Sequence, residues 1–134
     1  MLTRWTALGC AVAICAISEG RGASAAEVKR LNLNNLTPGS RFEIGTSDRV
    51  YRAEMVDSTT GEARLAASTD GVRFTEPRTV FLLGATQGRS TETGGLMLVK
   101  MNTLQTGLCV ELGLGSLDQR DRQLTEPVRS IRVQ

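Results

Sequence analysis

The sequence predicts a small, single-domain all-β protein, an antiparallel sandwich or partly open barrel of about seven strands, behind an N-terminal signal peptide. Three observations carry the prediction. From Ala26 onward, short apolar runs alternate with turn residues roughly every 8 to 12 positions, the rhythm of a sandwich or barrel. Several runs have the two-residue apolar/polar period of a half-buried strand. Cys10 and Cys15 fall in the leader, leaving Cys109 alone, so a packed core rather than disulfides must hold the domain.

The leader has the three parts of an export signal in order. Arg4 gives a positive start, Trp5 to Ile17 an uncharged apolar run, and Ala23-Ser24-Ala25 an A-x-A site, with cleavage after Ala25 or Ala26. The run is shorter than the roughly 20 apolar residues of a membrane span. No later segment is apolar enough to span, so no stable membrane span is expected after cleavage. The expected organisation is a cleaved signal at 1–25, a lead-in at 26–40 and the β domain at 41–134. Localisation follows as exported, periplasmic or extracellular.

The lead-in suits a helical turn or an edge strand through Val28, Leu31, Leu33 and Leu36, with Asn34-Asn35 arguing for a loop and Thr37-Pro38-Gly39 a turn. Arg41 to Thr46 and Val50 to Val56 then alternate. A hairpin through Asp48-Arg49 pairs Ile44 with Ala53 and Phe42 with Met55, apolar against apolar. The turn Asp57 to Gly61 sets Met55, Ala53 and Tyr51 opposite Ala63, Leu65 and Ala67. Asp70-Gly71 has the signature of a two-residue hairpin and sets Ala67 opposite Phe74, completing a four-stranded meander.

Thr79 to Ala85 and Leu96 to Met101 are apolar on both faces, as central strands are, with a polar, glycine-containing loop from Thr86 to Gly95 between them. Leu108 to Leu114 places Leu108, Val110, Leu112 and Leu114 inward, and Cys109, Glu111 and Gly113 outward. Ser116 to Gln119 has capping-box spacing for one helical turn, and Val128 to Val133 is the last strand. Phe74-Thr-Glu-Pro77 and Leu124-Thr-Glu-Pro127 echo one another, each before a strand, where proline presets an extended backbone.

Composition narrows the function. The chain has no histidine, which removes imidazole bases, Ser-His-Asp and Cys-His catalysis and most zinc sites. Its net charge of +2, falling to +1 once Arg4, Glu19 and Arg21 leave with the signal, gives no footprint for nucleic acid. Aromatics in the exported part are Phe42, Tyr51, Phe74 and Phe81, too few for stacking platforms.

Each remaining candidate has a structural explanation. Glu43 and Glu54 face each other on the outer side of the predicted meander, as an acid–base pair would. The same register sets Arg64 against Glu54, with Arg41 and Arg52 diagonal, which makes them charges on a solvated face. Cys109 shares its face with Glu111, which disfavours the thiolate. Met97 and Met101 with Cys109 are soft donors of the kind that take Cu(I), but methionines in apolar strands are core filler. Gly84 to Gly88 lacks the lysine of a phosphate loop and reads as a strand exit, and Asp57 to Gly61 lacks the acids of a calcium loop.

Ser68 to Phe74, followed by Pro77, resembles the Asp-Gly hairpins in the blades of propeller glycosidases and sialidases. A propeller needs roughly four or more blades, so no glycosidase residue carries over. No catalytic, cofactor-binding or metal-binding residue, cofactor or small-molecule ligand is expected. The expected function is a non-catalytic binding or structural module of the bacterial cell envelope. Its partner would be another envelope protein, met through an apolar sheet face such as that of Phe81 and Leu83. The alternative is a small envelope hydrolase using carboxylates and arginine, favoured by a cleft holding Glu43, Glu54 or Glu111 away from every arginine.

Overall fold

The computed structural model describes residues 25–89 and 96–134. The predicted signal peptide therefore lies, apart from Ala25, outside the described residues. Among the described residues, eleven strands, all antiparallel in their pairing, and two short 3-10 turns make up the regular structure. They are β1 (Ala26–Val28), β2 (Arg30–Asn32), β3 (Arg41–Thr46), β4 (Val50–Asp57), β5 (Glu62–Ser68) and β6 (Arg78–Arg89). β7 (Leu96–Met101), β8 (Thr103–Gln105), β9 (Cys109–Leu114), β10 (Arg122–Leu124) and β11 (Val128–Val133) complete the set. The number exceeds the expected seven because the lead-in pairs as two strands and two linking segments pair as well, each strand of three residues.

Nine strands form one sheet in the order β1-β11-β3-β4-β5-β6-β9-β10, with β7 beside β6, while β2 and β8 pair separately. β6 organises this arrangement. Val80 and Phe81 pair with both β5 and β9, and Gly84 and Ala85 pair with both β7 and β9, so β5 and β7 follow one another along the same edge of β6. The changeover lies at Leu82, whose N–H donates to Gly61, and Leu83, whose carbonyl accepts from Asn102. Glycine is required there. A Cβ on Gly61, at φ +80°, would stand 2.3 Å from the Leu82 carbonyl oxygen, and one on Gly84 would stand 2.2 Å from that of Lys100.

The sheet curls without closing. Between β10 and β11 the chain runs beside the start of β9, where Val128 N–H donates to Leu108 and Gly107 N–H to Val128. The result is a partly open antiparallel barrel whose inner face holds one core. Phe42, Ile44, Met55, Leu82, Val110 and Ile131 are almost wholly buried in it. Leu31 and Leu33 of the lead-in join the same core, from β2 and from the 3-10 turn Leu33–Asn35. Burying such side chains contributes about 1.5–3 kcal/mol each.

The meander needs three corrections and one confirmation. β4 and β5 pair as expected, Tyr51, Ala53 and Met55 facing Ala67, Leu65 and Ala63. β3 and β4 are slipped by two residues: Phe42 faces Ala53 and Ile44 faces Tyr51, so the turn is centred on Ser47-Asp48, where the Thr46 N–H donates to the Arg49 carbonyl, rather than on Asp48-Arg49. Asp70-Gly71 is not a two-residue hairpin, because the Asp70 carboxylate accepts the N–H groups of Val72 (2.8 Å) and Arg73 (3.0 Å) and holds a wider loop. Ala67 consequently meets Thr75 rather than Phe74. Phe74 lies instead on the outer face, where the Arg52 guanidinium stacks 4.0 Å from its ring centre.

The second half departs further. The expected strand exit at Thr86 is strand to Arg89, with Thr86 fully buried, while residues 90–95 of the expected loop lie outside the described residues. β7 is not central: among the described residues β6 is its one strand partner. Along β6, Val80 and Leu82 enter the core and Phe81 and Leu83 stay half-buried on the other face. The loop after β9 crosses that face so closely that a Cβ on Gly113 would lie 2.4 Å from the Ser116 carbonyl oxygen. Its 3-10 turn, Gln119–Asp121, is secured by Asp118, which accepts the Arg120 N–H at 3.0 Å.

Candidate functional site

Glu43, Glu54 and Glu111, the carboxylates expected to serve an arginine-assisted hydrolase, each pair with an arginine. Register places Glu43 opposite Arg52 and Glu54 opposite Arg41, and the ion pairs close at 3.4 Å and 3.9 Å. The two glutamates therefore do not face each other, because the two-residue slip of the first hairpin sets an arginine against each. Glu43 is also flanked by Arg132 of β11, and Glu54 by Arg64 of β5, giving rows of alternating charge across the outer face.

Glu111 departs most from expectation. It is buried, not outward in solvent, since the loop after β9 folds over its face and Arg122 of β10 reaches its carboxylate at 3.3 Å. Period-two alternation assigns it the correct side of the strand but is blind to a cover arriving from a distant loop.

Burial, then the charge of Glu126, pushes the Cys109 thiol upward, away from a nucleophile's needs. Met101 and Cys109 sit on β7 and β9 with β6 between them, and the Met97 side chain lies outside the described residues. The Asp57 carboxylate accepts the Thr59 hydroxyl (2.6 Å) and N–H (2.9 Å), which caps the turn and lowers its pKa.

A concavity of about 310 Å³ lies at the open end of the barrel. Its floor is aliphatic: Leu65 of β5, Val80 of β6, and Leu112 and Leu114 of β9. Tyr51 of β4 projects a phenol into it. Burial raises the Tyr51 pKa most, and Arg49, Asp48 and Glu126 all act electrostatically on the same group. Asp48 and Arg49 stand on the β3–β4 turn, which Thr46 fixes by donating its hydroxyl to Asp48 (2.8 Å) and accepting the Arg49 N–H (3.1 Å). Arg78, the first residue of β6, has the inward parity of Val80 and so carries a cation to the rim.

The two Thr-Glu-Pro segments supply opposite sides of this mouth. Thr75 N–H donates to the Ala67 carbonyl (2.9 Å) while its hydroxyl oxygen accepts the Ala67 N–H (3.0 Å). Thr125 does the same to Val110, at 3.0 Å in each direction. In both, a hydroxyl replaces a carbonyl in the ladder, so the chain leaves the sheet without orphaning its neighbour's N–H. In this repeat the threonines, rather than the prolines, make the contact with the sheet.

A second cavity, about 420 Å³, lies on the outer face among Arg41, Arg52, Arg64, Glu54 and Phe74, and is more open. Among the described residues no helix is long and apolar enough to cross a membrane. No protein-family model matches the chain, and no curated protein or solved structure matches it either.

Proposed function

We propose that the chain is an exported, non-catalytic binding module of the bacterial cell envelope, and that it binds through the open end of its barrel. The observation that carries this reading is the mouth itself: an aliphatic floor, one buried phenol and a rim of charges, formed by residues from five strands and three loops. Its support from chemistry is that Glu43, Glu54 and Glu111 are each held by an arginine, in a chain with no histidine. A partner protein in the envelope would meet the outer face of β6, where Phe81 and Leu83 remain half-buried.

The test is expression of the full-length chain with a C-terminal tag in a bacterium, followed by fractionation, mass measurement and capture from cross-linked envelopes. Recovery outside the cytoplasm, at the mass lacking residues 1–25 or 1–26 and with bound material, supports the reading. Full-length protein retained in the cytoplasm overturns it.

A further inference from the structure

We propose that the barrel mouth takes a small zwitterion with a branched aliphatic side chain, the chemistry of a free amino acid such as leucine. The proposal rests on the binding-module reading and names the ligand class for its site. The four rim charges are Arg49 and Arg78 against Asp48 and Glu126. Ion pairs among the described residues join Arg41 to Glu54, Arg52 to Glu43, Arg120 to Asp118 and Arg122 to Glu111, so none involves a rim charge. Arg49 also engages the Tyr51 phenol and Asp48 accepts the Thr46 hydroxyl, but none of the four is ion-paired to another, so charges of both signs line the cavity.

That balance discriminates between ligands. A simple carboxylate, such as a fatty acid, gains Arg49 and Arg78 but meets Asp48 and Glu126. A simple amine suffers the reverse. Like-charge contacts reject such partners, and a molecule carrying both charges satisfies both sets. Tyr51 lines the same cavity as the four charges, and its phenol both donates and accepts hydrogen bonds.

The floor selects the side chain. Leu65, Val80 and Leu112 are buried and aliphatic, offering dispersion contacts without an aromatic slot. At about 310 Å³ the cavity is at the lower limit of ligand clefts, roughly 300–1,000 Å³, which suits an amino acid and excludes a long-chain lipid.

The chain has one tyrosine, so the ring resonances of Tyr51 report directly on the mouth. The full chain is titrated at neutral pH with L-leucine, with isocaproate (leucine without its amine) and with isopentylamine (leucine without its carboxylate). Binding is followed by calorimetry and by the Tyr51 ring signals. Leucine is expected to saturate and to move those signals, with each analogue at least about tenfold weaker, equivalent to 1.4 kcal/mol or more. Arg78→Gln and Glu126→Gln, both at exposed positions, are each expected to weaken leucine by about tenfold without altering far-UV circular dichroism.

An analogue that equals leucine overturns the zwitterion assignment while leaving the mouth a binding site. Leucine binding that neither moves Tyr51 nor responds to the two substitutions overturns the location. Absence of binding by all three compounds overturns the ligand class, and the envelope capture experiment then judges the binding-module reading independently.

Discussion

The paired threonines allow burial to be tested on one shared hydrogen bond, to which Thr125 adds a hydroxyl donated to the Glu126 carbonyl at 2.8 Å. Thr125→Val preserves shape but removes the acceptor for the Val110 N–H. Thr125 is 8% exposed and Val110 1%, so water does not readily replace the lost hydroxyl. An orphaned buried donor costs about 1–3 kcal/mol. Thr75→Val removes the corresponding acceptor from Ala67, but Thr75 is exposed and Ala67 only half-buried, so water can replace the hydroxyl and the cost should stay below about 1 kcal/mol. Urea unfolding followed by circular dichroism measures both. With a slope of about 1–3 kcal/mol per molar, the Thr125→Val midpoint should fall by roughly 1 M and that of Thr75→Val by less than half as much. Thr125→Ser, which keeps the hydroxyl, should recover most of the loss. Equal shifts for the two valine variants, or a larger one at Thr75, would refute the claim that burial sets the value of this hydrogen bond.

Gly61→Ala should destabilise by at least about 1–3 kcal/mol in the same assay, because it combines a positive φ with a Cβ driven into the Leu82 carbonyl. Arg122→Met should cost about 1–3 kcal/mol by leaving the buried Glu111 carboxylate without its partner, and Arg122→Met combined with Glu111→Leu should recover part of that loss. Thr59, Arg73 and Arg120, through hydrogen bonds, lower the pKa values of Asp57, Asp70 and Asp118 respectively. Their stabilisation is therefore complete above the unfolded carboxylate value of about 3.9 and fades as pH falls through the lower folded values. Denaturation midpoints should drop below pH 4, and Asp70→Asn should flatten that dependence. Tyr51 is shifted the other way, so its stabilisation holds below about pH 10 and fades as pH rises through its folded value. Tyrosinate absorbance should appear at higher pH in the folded chain than in urea.

The all-β class, the inward residues of most strands and the β4–β5 register are legible in the sequence, because alternation and a glycine-ended turn act locally. The sequence left the first hairpin open to a two-residue slip, since Phe42 and Ile44 face apolar partners in either register and parity cannot distinguish them. It misplaced Phe74 because the Asp70 side chain, rather than the Asp-Gly backbone, shapes the turn. The remaining features depend on long-range contacts. Glu111 is buried by a loop that returns over β9 and carries Arg122 to it. The mouth exists because the curl of the sheet brings Tyr51, Arg78 and Glu126 to one opening from distant parts of the chain. A period of two reports which face a residue takes. What that face meets depends on long-range closure, for which a local pattern carries no signal.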